Sequence, residues 1–213
     1  MELNMELNVF INSLVAIIFA YICGSIPWGY IIGKVNGIDI RTVGSKNIGA
    51  TNVTRCVGKK AGKLCFALDF LKGLLPVLLA QYLAKRGLTG GEITTLIVVF
   101  ATIIGHIFPV FLNFKGGKGV STAAGAIMAL APYALITALA VWVVVFLVSR
   151  YVSLASITAA AVLPVVQWIF VLTQGKNWLV ATILTIIAAL AIFRHRSNIQ
   201  RLLDGTENRF GKK

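Results

Sequence analysis

The sequence predicts an all-α integral membrane protein with seven transmembrane helices, one of them short. The N-terminus is expected outside and the C-terminus in the cytoplasm. Three observations predict this. Apolar residues make up 58% of the 213-residue chain and the mean hydropathy is +0.86, whereas soluble domains average roughly 45–50% apolar residues. The apolar residues fall in runs of membrane length, and a spanning helix needs about 20 of them. The net charge of +13 sits between those runs, the pattern of positive-inside topology rather than of a nucleic-acid-binding face.

The first apolar run covers 9–33. It holds Gly29 and Gly33, whose spacing suits close helix packing. Runs at 64–83 and 93–112 follow. Residues 119–149 are too long for one span, since a single helix there would measure ~46 Å against a hydrocarbon core of ~30 Å. Ala131-Pro132 lies inside this stretch, and proline starts helices better than it continues them. The stretch therefore divides into a short helix, 120–130, and a full span, 132–148. Segments 154–173 and 178–193 complete the seven, with Trp178 placed for the interface. The chain reads as one transmembrane domain, 1–213, with cytoplasmic loops at 34–63, 113–119 and 194–213.

Charge sets the orientation. The 34–63 loop holds seven basic residues and one acid, which places it in the cytoplasm. Glu2 and Glu6 then lie outside, and they stand where a cleavable signal would carry Lys or Arg. Seven segments put Lys115, Lys118, Arg150 and the 194–213 tail inside, leaving Lys85, Arg86 and Lys176 outside. Six segments would put the tail's six basic residues outside. The opening MELN recurs at 5–8, too short a duplication for a structural repeat. The three cysteines, Cys23, Cys56 and Cys65, match no metal spacing and are expected as free thiols, with no metal site.

Three polar motifs stand at the edges of the apolar runs. The first contains Asp39-Ile40-Arg41, Gly44-Ser45-Lys46-Asn47, Gly49-Ala50-Thr51-Asn52, Arg55 and Gly58-Lys59-Lys60. Setting topology needs Lys and Arg, but not glycines interleaved with Ser45, Asn47, Thr51 and Asn52. Glycine allows tight turns with exposed N–H groups, the short polar side chains add hydrogen-bonding arms, and Arg55 suits a bidentate grip on phosphate. The second motif, Lys115-Gly116-Gly117-Lys118-Gly119-Val120, is a glycine-rich turn opening a helix, where N–H groups and the helix dipole favour an anion. It lacks the Ser or Thr of the nucleotide-binding G-x-x-x-x-G-K-[ST] pattern. The third is Arg194-His195-Arg196-Ser197-Asn198-Ile199. Such a basic run commonly just meets anionic lipid. On a continued helix, however, His195 and Asn198 share a face.

Asp69 and Lys72, three apart in the second span, are candidates for a functional or a structural ion pair. His106 is expected as a packed, hydrogen-bonded histidine. Neither histidine is followed by an Asp five residues on, so the His–Asp pair of one large class of glycerolipid acyltransferases is absent. No HExxH metal motif, no G-x-S-x-G elbow and no nucleotide fold appears.

These motifs resemble those of the bacterial membrane acylphosphate:glycerol-3-phosphate acyltransferases. The likeness includes Gly24-Ser25-Ile26-Pro27, the first loop through Gly62, Asp69, Lys72-Gly73, Gly105-His106 and the stretch from Phe114 to Val120. It ends with Arg194-His195-Arg196, Asn198-Ile199, Arg201-Leu202 and Glu207. The resemblance implies a seven-helix enzyme of the bacterial inner membrane with its active site on the cytoplasmic face. It would transfer an acyl group from acyl phosphate to the 1-hydroxyl of sn-glycerol 3-phosphate, with no cofactor. It assigns catalytic roles to Ser45, Arg55, Lys115, His195 and Asn198, and associates Gly116, Gly117 and Lys118 with glycerol 3-phosphate binding. Asn47, Thr51, Asn52 and Ser153 join the substrate-binding set, and Glu207 is expected to be structural. The hydroxyl proton would go to His195 or to the donor's leaving phosphate. Membrane lipid and the two substrates are the expected partners, and no oligomeric state follows from the sequence. An organic-phosphate transporter is the main rival, yet it would place charge near the midplane between related halves. A lipid-binding scaffold has little need for two glycine-rich loops.

Overall fold

The computed structural model describes residues 2–175 and 177–211. Lys176, Lys212 and Lys213, counted above in assigning topology, lie outside the described residues, as does Met1. Every regular element among the described residues is helical. Contacts divide the chain into two compact units, one ending at Leu130 and the other beginning at Ala131.

The first unit opens with α1 (Glu2–Ser25) and α2 (Trp28–Val35). The sequence suggested one helix over 9–33, but it breaks at Ile26-Pro27. Proline has no N–H to donate and disfavours helical geometry in the residue before it. The chain restarts with Ile31 N–H on the Pro27 carbonyl at 3.0 Å. Next come α3 (Ala50–Cys56), α4 (Lys59–Lys85) and α5 (Gly91–Ile107). The expected 93–112 helix stops at Ile107 because Pro109 cannot continue it, and a single 3-10 turn covers Val110–Leu112. The short helix α6 (Val120–Leu130) lies where the sequence placed it.

Glycine governs how these helices meet. A Cβ on Gly24 would strike the Thr102 carbonyl oxygen, and one on Gly105 would strike that of Tyr21, so α1 and α5 press together at reciprocal glycines. The same holds for α4 and α6, with Gly73 against the Thr122 carbonyl and Gly125 against that of Phe70. Lipid tails are as apolar as leucine, so helix association in a membrane draws on such close van der Waals contact. Gly29 meets the expectation of close helix packing in part, since a Cβ there would crowd Cys65 of α4 at 3.1 Å, but Gly29 and Gly33 chiefly serve another contact. They face Ile48 and the Ile38–Ile40 segment, so their smallness admits the polar loop against α2.

The second unit holds α7 (Pro132–Ser149), α8 (Val152–Gln174), α9 (Trp178–Arg194) and α10 (Arg196–Leu203). Pro132 opens α7 at a position where its missing N–H costs nothing. Asn177 caps α9 by accepting from Leu179 N–H at 2.8 Å. Trp142 donates to Ser156 and Trp168 to Thr185, each at 3.1 Å, tying α7 to α8 and α8 to α9.

Large apolar side chains such as Phe10, Leu14, Leu75, Leu139 and Leu147 face outward, as lipid requires. Among the described residues, five helical stretches are long and apolar enough to cross a membrane, six if the bent α9–α10 pair is one span. The protein is thus an integral, multi-pass membrane protein, and α6, at eleven residues, falls short of a full crossing. Gly73→Ala is expected to lower stability by about 1–3 kcal/mol, the usual cost of overpacking a tight contact, and thermal unfolding in detergent would measure it.

Candidate functional site

The first polar loop is built around Asn52, which is 1% exposed. Its amide donates to the Ile40 carbonyl at 2.9 Å and the Val43 carbonyl at 3.2 Å. Its Oδ1 accepts from Ser45 N–H at 2.8 Å. One buried side chain therefore fixes the backbone on both sides of the turn at Gly44, where φ is +59°. A Cβ on Gly44 would also strike Asn52 Oδ1. Asn47 accepts from Gly49 N–H at 2.8 Å, shaping the entry to α3. Asn47 and Asn52, expected among the substrate-binding residues, are thus engaged with the loop's own backbone. Ser45 and Arg55 are exposed and Thr51 is half-buried on α3.

Charge in this loop is partly spent internally. Arg41 clamps Asp39 with contacts of 3.0 and 2.7 Å, and Lys34 approaches it at 3.4 Å. The Arg41 hydrogen bond holds the Asp39 carboxyl far below the usual carboxylate range. Arg41 also stacks on Tyr30, with its guanidinium carbon 4.4 Å from the ring centre. Arg55 and Lys115 form no ion pair among the described residues.

The second motif begins with a backbone feature the sequence reading missed. Asn113 and Phe114 both adopt positive φ, +49° and +60°. Such values are uncommon for non-glycine residues and mark strain at a bulky one. They reverse the chain after the Val110–Leu112 turn, and Gly116 and Gly117 then run back along the end of α5. Gly116 N–H bonds the Ile107 carbonyl and Gly117 N–H the His106 carbonyl, each at 3.1 Å. This corrects the expectation that these two N–H groups face an anion. Gly116 and Gly117 are small because the loop lies directly on α5: a Cβ on Gly116 would strike the His106 carbonyl oxygen, and one on Gly117 would strike His106 Nε2. The helix opening of α6 follows at Val120, after Gly119 at φ +83°. Lys115 is exposed and Lys118 half-buried.

Both loops rest on one apolar cluster. Ile40, Ile48 and Val53 from the first loop and α3 join Ile32 of α2, Cys65 of α4 and Leu112 from just before the second motif. Cys65, like Cys23 and Cys56, is a free thiol. Below lies a buried polar group. Lys72 Nζ is 2.8 Å from Asp69 Oδ1 and donates to the Ile26 carbonyl at 2.7 Å. His106 Nδ1 stands 3.1 Å from Thr122 Oγ1 and 3.7 Å from Asp69 Oδ1. The expected Asp69–Lys72 pair and packed His106 are both present, and they belong to one network.

The third motif lies in the second unit. His195 and Asn198 would share a face on a continued helix, but α9 and α10 meet at 54°. His195 sits at the bend, its carbonyl accepting from Asn198 N–H at 2.8 Å. His195 and Asn198 are nonetheless both buried, at 3% and 5% exposed. His195 Nδ1 is 2.8 Å from the Ala191 carbonyl, a contact that suits a proton on Nδ1 and leaves Nε2 as the basic nitrogen. Glu207 is the hub of this region. Its Oε1 accepts from Ser153 at 2.9 Å and Asn198 at 2.8 Å, and its Oε2 from Arg201 at 2.7 Å. Ser153 and Asn198 are thereby brought onto one carboxylate. Burial alone would raise the Glu207 carboxyl, but the bonds from Asn198, Ser153 and Arg201 outweigh it and lower its pKa.

Comparison with known proteins adds to this geometry. The profile of a family described as glycerol-3-phosphate acyltransferase matches residues 14–205. A glycerol-3-phosphate acyltransferase of Aquifex aeolicus is 47% identical over 199 residues, covering 93% of this chain and all of that protein. One from Trichlorobacter lovleyi is 52% identical over 191 residues, 90% of this chain and 94% of its own. Among solved structures, PlsY, an integral membrane glycerol 3-phosphate acyltransferase in its glycerol 3-phosphate form, superposes with a TM-score of 0.84. It shares 47% identity and covers 93% of this chain and 96% of its own. Its lysophosphatidic acid form gives 0.81 at 46% identity, with 93% and 95% covered.

Asn52→Ala is expected to cost about 1–3 kcal/mol, since it leaves buried carbonyls unpaired. Faster hydrogen exchange at the Ser45 amide would report the loosened turn. Glu207, with its folded pKa lowered, stabilises the fold above its ordinary value of 4.5 and loses that contribution as pH falls through the lowered value. Melting temperature should therefore drop on acidification below that ordinary value, and Glu207→Gln should flatten this acid limb.

Proposed function

The chain belongs to the glycerol-3-phosphate acyltransferase family, and from this premise we propose that it transfers a fatty acyl group from acyl phosphate to the 1-hydroxyl of sn-glycerol 3-phosphate. The products are 1-acylglycerol 3-phosphate (lysophosphatidate) and inorganic phosphate, which makes this the first step of bacterial phospholipid synthesis. The observation that carries the proposal is the seating of two cation-bearing loops, 34–63 and 113–119, on a single apolar cluster at the foot of α2, α3 and α4. A reaction joining two phosphate compounds needs that concentration of positive charge.

Acyl phosphate is a mixed anhydride with a good leaving group. The 1-hydroxyl oxygen attacks the acyl carbon, the bond from that carbon to the phosphate oxygen breaks, and phosphate departs. Holding both substrates in place can supply roughly 7–11 kcal/mol at the upper limit. Arg55, Lys115 and Lys118, with the N-terminus of α6, offset the charge of the phosphates. Ser45 contributes its hydroxyl to the catalytic set and Thr51 its hydroxyl to binding, while Asn47 and Asn52 hold the loop that presents them. Gly116 and Gly117 let the second loop sit close to α5. Ser153, His195 and Asn198 enter through the motif resemblance, with Glu207 organising Ser153 and Asn198. The hydroxyl proton passes to the leaving phosphate, and His195, buried and turned toward the Ala191 carbonyl, serves as a binding group.

The chain is proposed to act as one transmembrane domain, 1–213, consistent with a family profile that runs across the Leu130–Ala131 boundary without interruption. Seven spans, counting α6, place the N-terminus outside and the C-terminus in the cytoplasm. This arrangement puts the active-site loops on the cytoplasmic face of the inner membrane, where the positive-inside rule puts their Lys and Arg.

Purified protein given glycerol 3-phosphate with palmitoyl phosphate, palmitoyl-CoA or palmitoyl carrier protein tests the donor. Lysophosphatidate and phosphate are expected from acyl phosphate alone. Turnover with a thioester would replace the donor, and counterflow of glycerol 3-phosphate without acyl transfer would favour a transporter. Lys115→Ala should lower kcat/KM by about 10²-fold, the order seen on removing one charge-stabilising donor. His195→Asn should raise KM and keep kcat; loss of kcat at saturating substrate would make His195 the base.

A further inference from the structure

The buried group under the second motif is not used in the chemistry above, yet it touches that motif at one point and the helix that follows it at another. The His106 ring lies against Gly117, so closely that a Cβ there would strike Nε2. The other ring nitrogen, Nδ1, is 3.1 Å from the hydroxyl of Thr122 in the first turn of α6. Lys118 and the α6 N-terminus lie between these two contacts in sequence. The imidazole therefore spans the loop from beneath and sets the spacing between its cations and the helix end that follows.

The ring is itself held. Asp69 Oδ1 stands 3.7 Å from Nδ1 and 2.8 Å from Lys72 Nζ, and Lys72 reaches the Ile26 carbonyl at 2.7 Å. Asp69, Lys72, His106 and Thr122 are 2%, 6%, 4% and 0% exposed. An apolar side chain would fill the space under Gly117 equally well. An imidazole facing a carboxylate and a hydroxyl is instead locked in rotation, which is what a support for a ligand loop requires. The ring faces Gly117 on one edge and Thr122 and Asp69 on the other, so it acts through the loop.

We propose that His106, oriented by Asp69 and Thr122, is a positioning residue that presets the 115–120 loop for the phosphate of glycerol 3-phosphate. The proposal rests on the acyltransferase reading and deepens it.

The test uses the full-length protein in lipid nanodiscs, with steady-state kinetics and calorimetric binding of glycerol 3-phosphate run in parallel. His106→Gln is expected to raise both KM and Kd for glycerol 3-phosphate by about tenfold, with kcat and the KM for palmitoyl phosphate changed by less than roughly twofold. Thr122→Val, which keeps the volume and removes the hydroxyl, should move the same two constants in the same direction. Gly117→Ala should weaken glycerol 3-phosphate binding in the wild-type background. In His106→Ala, where the added methyl finds room, it should cost less than about twofold more, a non-additivity expected only of groups in contact. A fall in kcat at unchanged KM, or effects of Gly117→Ala and His106→Ala that simply multiply, would overturn the proposal. Should His106 variants not fold, Thr122→Val alone decides: an unchanged Kd overturns it. Wild-type protein that binds glycerol 3-phosphate but turns over no acyl donor would refute the acyltransferase reading while the Kd series still judges His106. Wild-type protein that does not bind glycerol 3-phosphate overturns both.

Discussion

Backbone-to-backbone contact at glycine is the constraint on which the first unit depends. Inside a bilayer, burying one more leucine against another gains little over leaving it in lipid, so helices are held by how closely they approach. Gly24 and Gly105 bring α1 against α5, and Gly73 and Gly125 bring α4 against α6. The second pair bears on function, because α6 begins where the Lys115–Gly119 loop ends. Any loosening of α4 from α6 moves the helix end that is proposed to meet a phosphate. Gly116 and Gly117 repeat the device on a smaller scale by letting the loop lie on His106. Scaffold and site are thus made by the same means.

A different economy organises the second unit. There the helices carry tryptophan-to-hydroxyl bonds between neighbours, and the polar end is gathered by one carboxylate. Glu207 collects Ser153, Asn198 and Arg201 from α8 and α10. Its low pKa and its role as organiser have one cause, three donors converging on an otherwise costly buried anion.

Much of this was legible in the sequence, and the exceptions share a cause. Apolar run length and Pro132 located α6 and α7 correctly, because span length and proline chemistry are local properties. The Asp69–Lys72 pair followed from its i, i+3 spacing. What escaped were features that depend on which segments touch. Gly29 and Gly33 looked like a helix-packing pair; Gly29 does lie against Cys65 of α4, but both also admit a loop, and the spacing is the same in either case. Gly116 and Gly117 looked like N–H donors for an anion, whereas their partners are the carbonyls of His106 and Ile107. Asn52 resembled its exposed neighbours Ser45 and Lys46 in composition, and only burial separates it from them. The bend at His195 had no proline or glycine to announce it. Asn113 offered a faint signal for its left-handed turn, since asparagine tolerates that geometry, but Phe114 offered none.

The position of Lys72 has a further consequence for how the chain enters the bilayer. A lone lysine or aspartate at the centre of an inserting helix costs about 2.5–3.5 kcal/mol on translocon scales. Asp69 and Lys72 lie on one helix, 2.8 Å apart, so each carries its counter-ion with it and α4 needs no other segment to offset its charge during insertion. The Ile26 carbonyl is in the opposite situation. It lies 46 residues before Lys72 in sequence, and the Lys72 ammonium donates to it at 2.7 Å. The ion pair of α4 thus also supplies the donor that closes the break before Pro27.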